Sequence, residues 1–122
     1  MLWKAGADSL VDDVRFLGGH GGGLALNNSR TAGANSHMRW DGQYPSLWVT
    51  EGGGGTFADI WTPNTFAQAG FLVSDTKTPG HVYELSNEHH VRSEIKFDHV
   101  ENWDLNAPQT EEEAAELSLI HI

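Results

Sequence analysis

The chain is broken by Gly, Pro, Asn or Asp about every five to ten residues, and residues of this kind end helices and strands alike. No segment carries apolar residues at helical spacing over several turns. The best helical candidate, Thr110 to Glu116, is acidic and lacks an apolar face. Short runs rich in β-branched, aromatic and aliphatic residues fill the intervals: Val14–Leu17, Leu24–Leu26, Ser46–Thr50, Thr56–Trp61, Gly70–Ser74, His81–Leu85, Val91–Phe97 and Trp103–Leu105. In Glu94-Ile95-Lys96-Phe97-Asp98 the alternation points Ile95 and Phe97 to one side of a strand. Many short strands and tight turns define an all-β chain, and the 14 glycines suit such turns.

A short pattern recurs. Val11-Asp12-Asp13-Val14 is echoed by Phe97-Asp98-His99-Val100, an apolar residue, a polar pair, then an apolar residue, and more loosely by Phe57-Ala58-Asp59-Ile60. Halving the distances from Val14 to Ile60 and from Ile60 to Val100 gives a repeat of about 20 to 23 residues, inside the solenoid range of roughly 20–45. The expected fold is a right-handed parallel β-helix, a solenoid that stacks one repeat per coil. An antiparallel sandwich also has short, regularly spaced strands and stays open on periodicity alone. Residues 1–116 read as part of a β-helix domain. The closing Leu117-Ser118-Leu119-Ile120-His121-Ile122 reads as the translated end of a sequencing-library adapter, an artefact set aside in fold reasoning. On that reading the natural chain runs past Glu116, and the last coil here exposes an apolar end and an unpaired edge.

Charge narrows the partners. Seventeen acidic residues face 7 basic ones, for a formal net charge of −10. Nucleic acid and anionic membrane surfaces both need clustered Lys and Arg, so neither is expected. A neutral polymer fits this charge. There is no cysteine, which excludes disulfides and thiolate metal sites. No apolar run is long enough for a transmembrane helix. No cofactor is expected.

Several motifs have a bland explanation. Gly18-Gly19-His20-Gly21-Gly22-Gly23 is like an esterase oxyanion loop, but no G-x-S-x-G elbow accompanies it. That run and Gly52–Gly55 read as loops needing positive φ. Asn27-Asn28-Ser29 fits the glycosylation acceptor pattern, a match that arises often by chance. His89 and His90 are adjacent, so on a strand they point to opposite faces. His81, His99 and Glu88 could converge across coils, yet no spacing matches a ligand pattern, and no metal is expected. Of the five tryptophans, most suit a core. Trp48 and Trp61 are candidate platforms for stacking against a sugar ring.

The acids offer a sharper geometry. Glycoside hydrolysis usually employs two carboxyl groups flanking the scissile bond. Glu88 and Glu111 are about one coil apart, which would place them on adjacent parallel strands roughly 4.8 Å apart. Such closeness drives two carboxyl pKa values apart, as acid and base require. On composition alone, solvated surface acids explain them as well.

The segment from Gly55 to Glu111 resembles part of glycoside hydrolase family 55, the β-1,3-glucanases, within the pectate-lyase-like superfamily. The likeness rests on Gly55-Thr56-Phe57-Ala58-Asp59-Ile60-Trp61, on the strand Gly70–Asp75, on Asn87-Glu88-His89, and on Gln109-Thr110-Glu111 about one coil later. The resemblance implies an inverting hydrolase with Glu111 as general acid. It implies that Glu88 positions or activates the water, and that Gln109 and His89 are supporting polar groups. Two departures stand out. Glu112-Glu113-Ala114 replaces the family's Pro and aromatic residues, and Ser86-Asn87-Glu88 spaces the Ser–Glu pair by one residue more. Both loosen the β-1,3-glucan specificity. The expected activity is that of a secreted or periplasmic polysaccharide hydrolase, monomeric in its parent form, of which this piece is inactive alone. A non-catalytic glycan-binding β-helix of the adhesin or tailspike kind is the alternative. A polysaccharide lyase is a third, with Arg92 and Lys96 the nearest bases.

Overall fold

The structure, a computed structural model, describes residues 1–17, 44–63, 67–90, 93–111 and the backbone of 119–121. Among these residues the chain forms ten strands and no helix: β1 (Leu2–Trp3), β2 (Leu10–Arg15), β3 (Leu47–Val49), β4 (Gly55–Thr62), β5 (Phe71–Thr76), β6 (Gly80–Glu88), β7 (Ser93–Val100), β8 (Trp103–Asn106), β9 (Gln109–Glu111) and β10 (Leu119–His121). A first sheet has the order β1-β3-β5-β7-β10. A second has the order β2-β4-β6-β8, with β9 also on β6.

Every pairing is parallel. The antiparallel sandwich is therefore overturned. Parallel neighbours cannot be joined by a tight hairpin. Here the chain leaves one sheet, crosses to the other and returns one place along, so that up to β8 successive strands alternate between sheets. Leu47 lies beside Phe71 and Phe71 beside Ile95; Phe57 lies beside Val82 and Val82 beside Leu105. The repeat is thus about 23 to 25 residues, just above the sequence estimate.

The two sheets close on one apolar interior. Phe57, Ile60, Val82 and Leu85 from the second sheet meet Leu47, Val49, Phe71, Val73 and Ile95 from the first, each at most 1% exposed. The Phe57 ring lies 5.7 Å from that of Phe71 across the interior and stacks at 5.6 Å on Trp103 of its own sheet. Burying side chains of this size stabilises by about 1.5–3 kcal/mol each. Ile95 and Phe97 both pack on this core, as alternation predicts.

The echoed pattern has a backbone cause. Its third residue holds a left-handed φ in every copy: Asp13 at 49°, Asp59 at 50° and His99 at 55°. Glu84, Asp75 and Glu51 do the same within β6, within β5 and just after β3. Each bends the strand where it stands, and Asp and His tolerate that conformation better than most residues. Val14 pairs directly with Ile60, so one repeat and not two separates them. Residues 18–43, outside the described range, lengthen that step. Val100 lies on the first sheet and does not join that stack. The echo marks bends in both sheets.

Other expectations shift or fall outside. The acidic stretch expected as a helix from Thr110 opens instead as strand β9, because Thr110 and Glu111 extend the ladder against Asn87 and Glu88. Leu24–Leu26, Gly18–Gly23 and Asn27–Ser29 lie outside the described residues. Of the run expected as a loop with positive φ, Gly52 and Gly55 have φ of 81° and 111°, and Gly55 opens strand β4.

Candidate functional site

Alternation along β6 sets the site. After the bend at Glu84, Leu85 and Asn87 turn inward and are buried, while Ser86 and Glu88 turn outward. With Asn87 between them, Ser86 and Glu88 stand on one face. β9 pairs with this end of β6 so that Ser86 lies beside Gln109, Asn87 beside Thr110 and Glu88 beside Glu111. The two glutamates expected one repeat apart are direct cross-strand neighbours.

The next residue closes the group. The backbone N–H of His89 donates to the carbonyl of Glu111 at 2.8 Å, which extends the ladder one residue beyond the strand. Its φ of 62° turns the side chain back, and Nε2 comes to 3.7 Å from Glu111 Oε1. One ligating atom from each of Glu88, His89 and Glu111 falls within 4.8 Å of the others. Three such atoms can converge on one cation, and two such carboxyl groups can share one proton. Ser86 Oγ donates to Glu88 Oε1 at 2.6 Å and orients that carboxylate. Glu111 is the more exposed of the two, its side chain 57% accessible.

Beside them lies an open recess of about 310 Å³ lined by Arg15, Asp59, Trp61, Glu84, Ser86 and Glu88. Arg15 pairs in register with Trp61, Trp61 with Ser86 and Ser86 with Gln109. These four make one outward row that crosses the strands. Trp61 is half-buried within it. Arg15, Asp59, Glu84 and Ser86 join the residues that the sequence offers as a site. Their signal is a shared offset within a repeat of about 24 residues, legible only once that length is known.

Trp48 is elsewhere. It belongs to β3 of the first sheet, where its indole N–H donates to Ser74 Oγ at 2.9 Å and its ring lies 6.1 Å from that of Tyr44. The structure thus gathers Glu88, His89, Glu111, Gln109 and Trp61 on the second sheet and leaves Trp48 on the first. The convergence of His81, His99 and Glu88 does not form: His81 is bound to Asp104 on the second sheet, and His99 stands by Asp75 and Asp98 on the first. Lys96 is also on the first sheet, beside Leu72, and Arg92 lies outside the described residues.

Behind the site is a buried polar cluster. Thr62 Oγ1 donates to Asn87 Oδ1, and His90 Nδ1 pairs with Glu94 Oε2. The His90 backbone N–H donates to Glu94 Oε1 at 3.1 Å. His90 and Asn87 are fully buried and Glu94 is 1% exposed. His89 and His90 do point to opposite sides, one to the glutamates and one to the interior.

No protein-family profile, no curated protein and no solved structure matches the chain.

Proposed function

We propose that the chain is part of a right-handed parallel β-helix that cleaves a neutral polysaccharide by general acid–base hydrolysis, as its resemblance to the β-1,3-glucanases of family 55 implies. The observation that carries the reading is the register of Glu88 against Glu111. It puts two carboxyl groups side by side on an outward face, next to a half-buried tryptophan. Glu111, the more exposed, donates the proton to the leaving oxygen. Glu88 is held by Ser86 and lies too near Glu111 for a water to stand between them, since an inverting pair needs roughly 6.5–9.5 Å. Its part is to position the substrate or the water, and the base that takes the proton of the attacking water belongs to the rest of the parent protein. His89 and Gln109 hold Glu111 and the sugar hydroxyls, and Trp61 stacks against a ring in the adjoining recess. A polymer-degrading role places the protein outside the cell or in the periplasm, with no cofactor.

The test is hydrolysis of β-1,3-glucan by the full-length parent, followed by release of reducing sugar. Glu111→Gln should lower the rate by at least about 100-fold, the usual contribution of a general acid, and leave retention on the insoluble polymer unchanged. Retention without any sugar release by the unaltered full-length parent would favour the glycan-binding reading, which Trp61 in its open recess supports by itself.

A further inference from the structure

Among the described residues, four buried side-chain atoms have no hydrogen-bond partner: Ser46 Oγ, Asn87 Nδ2, His90 Nε2 and Trp103 Nε1. Trp103 stands apart, packed on Gly80. The other three gather around Gly70. Leu47 pairs with Phe71 and Phe71 with Ile95, so one residue earlier Ser46, Gly70 and Glu94 form a row. A parallel ladder turns the members of a row to the same side. Asn87 and His90 approach that side: a Cβ on Gly70 would meet Asn87 Oδ1 at 2.5 Å and His90 Cε1 at 2.7 Å. None of these residues belongs to the first or the last strand, so the corner owes nothing to either end of the chain.

We propose that this corner binds one internal water, held by the free end of the Asn87 amide, by His90 Nε2 and by Ser46 Oγ. The bonds already made leave these three atoms over. Glu94 takes both the backbone N–H and Nδ1 of His90, so Nε2 remains. The Thr62 hydroxyl can serve either end of the Asn87 amide, and whichever end it takes, the other is left. All three residues are buried, and a buried polar group without a partner loses its hydration uncompensated. An internal water typically makes about three hydrogen bonds to such groups. Water both donates and accepts, which suits an amide, a ring nitrogen and a hydroxyl together. A metal ion would find no free carboxylate, since both Glu94 oxygens are engaged. An anion would lie in a corner that already holds a carboxyl. The water joins the two sheets, because Ser46 leads into β3 of the first and Asn87 belongs to β6 of the second. It also grips the chain on either side of the candidate site: Asn87 and His90 turn inward, while Glu88 and His89 between them reach Glu111. Its service in positioning Glu88 and His89 for catalysis rests on the hydrolase reading; the water itself does not.

The test uses the whole chain with no sugar present. A high-resolution crystal structure should show one water within hydrogen-bonding distance of all three atoms, and deuteron relaxation dispersion of the solvent should report a long-lived internal water. Ser46→Ala removes one of its three bonds and should shorten its residence roughly three- to tenfold, the worth of one hydrogen bond. Ser46 lies on the other sheet and touches neither Glu88 nor His89, so a weaker NMR contact between the His89 ring and the Glu111 side chain in this variant would come through the water. Asn87→Leu, of similar size without polar ends, should remove the dispersion step. Three atoms bonded to protein groups with no water between them would overturn the proposal, and the unaltered chain alone decides that point. A dispersion step unchanged by both variants, or one that chloride displaces, would overturn it too. A water lost in Ser46→Ala with the His89–Glu111 contact intact would sink its positioning role, whatever becomes of the hydrolase reading.

Discussion

Gly70 stands where side chains from two strands, β4 and β6, and from His90 beyond β6 converge. A Cβ there would lie 2.5 Å from Asn87 Oδ1, 2.5 Å from Thr62 Oγ1 and 2.7 Å from His90 Cε1. None of these is the free end of a flexible chain, because all three residues are buried. Gly70→Ala should therefore cost about 1–3 kcal/mol as overpacking, seen as a lower urea midpoint with an unchanged slope. A second residue-scale effect is electrostatic. The His81 Nδ1 and Asp104 Oδ1 atoms are 2.5 Å apart, and this bond, followed by that from Asn106, depresses the Asp104 carboxyl pKa. A depressed carboxyl favours the folded state above its unfolded pKa, about 3.9, and loses that contribution as pH falls through the folded value. His81→Ala should return the Asp104 titration towards the ordinary range by NMR and flatten the acid limb of stability against pH.

At the scale of the strand, the recurring device is a bend at a left-handed residue. Asp13, Asp59 and Glu84 occupy equivalent places in β2, β4 and β6. The left-handed conformation costs an ordinary residue roughly 1–2 kcal/mol, and Asn less. Glu84→Asn should raise stability by up to about 1 kcal/mol, measured by denaturant titration, without moving β6. These bends also explain what could be read from the sequence. Aspartate between apolar residues is visible, so the echo was found. Nothing in the letters says which sheet a bend belongs to, so Val100 was set in the wrong stack and the repeat came out short. The pairing of Glu88 with Glu111 is legible because about one repeat separates them, whereas a catalytic role for them rests on the resemblance. Trp48 was not placed, because the face of a three-residue strand depends on the sheet it joins. Arg15 carries no signal of its own in the sequence, because its significance lies in its neighbours across the strands.

At the scale of the molecule, Phe57 links the sheets. It contacts Phe71 and Trp3 of the first sheet across the interior and Trp103 of its own sheet, with ring centroids 5.6–6.0 Å away. Phe57→Ala should cost about 3–5 kcal/mol, a large part of the roughly 5–15 kcal/mol that holds a domain of this kind. The expected result is loss of the cooperative thermal transition or a large drop in its midpoint. A transition unchanged to within a few degrees would mean that the two sheets are stabilised separately.

The parallel register has one more consequence. Because each strand leans on the strand one repeat before and one repeat after, the molecule counts its own sequence in units of about two dozen residues. Removing residues 55–79 would bring Val11 beside Val82 and Leu47 beside Ile95, so that like would still meet like. A cut of half that length would set apolar positions against bends. Length here is quantised, and an ancestor of this chain could grow or shrink by whole units while keeping the same cross-section.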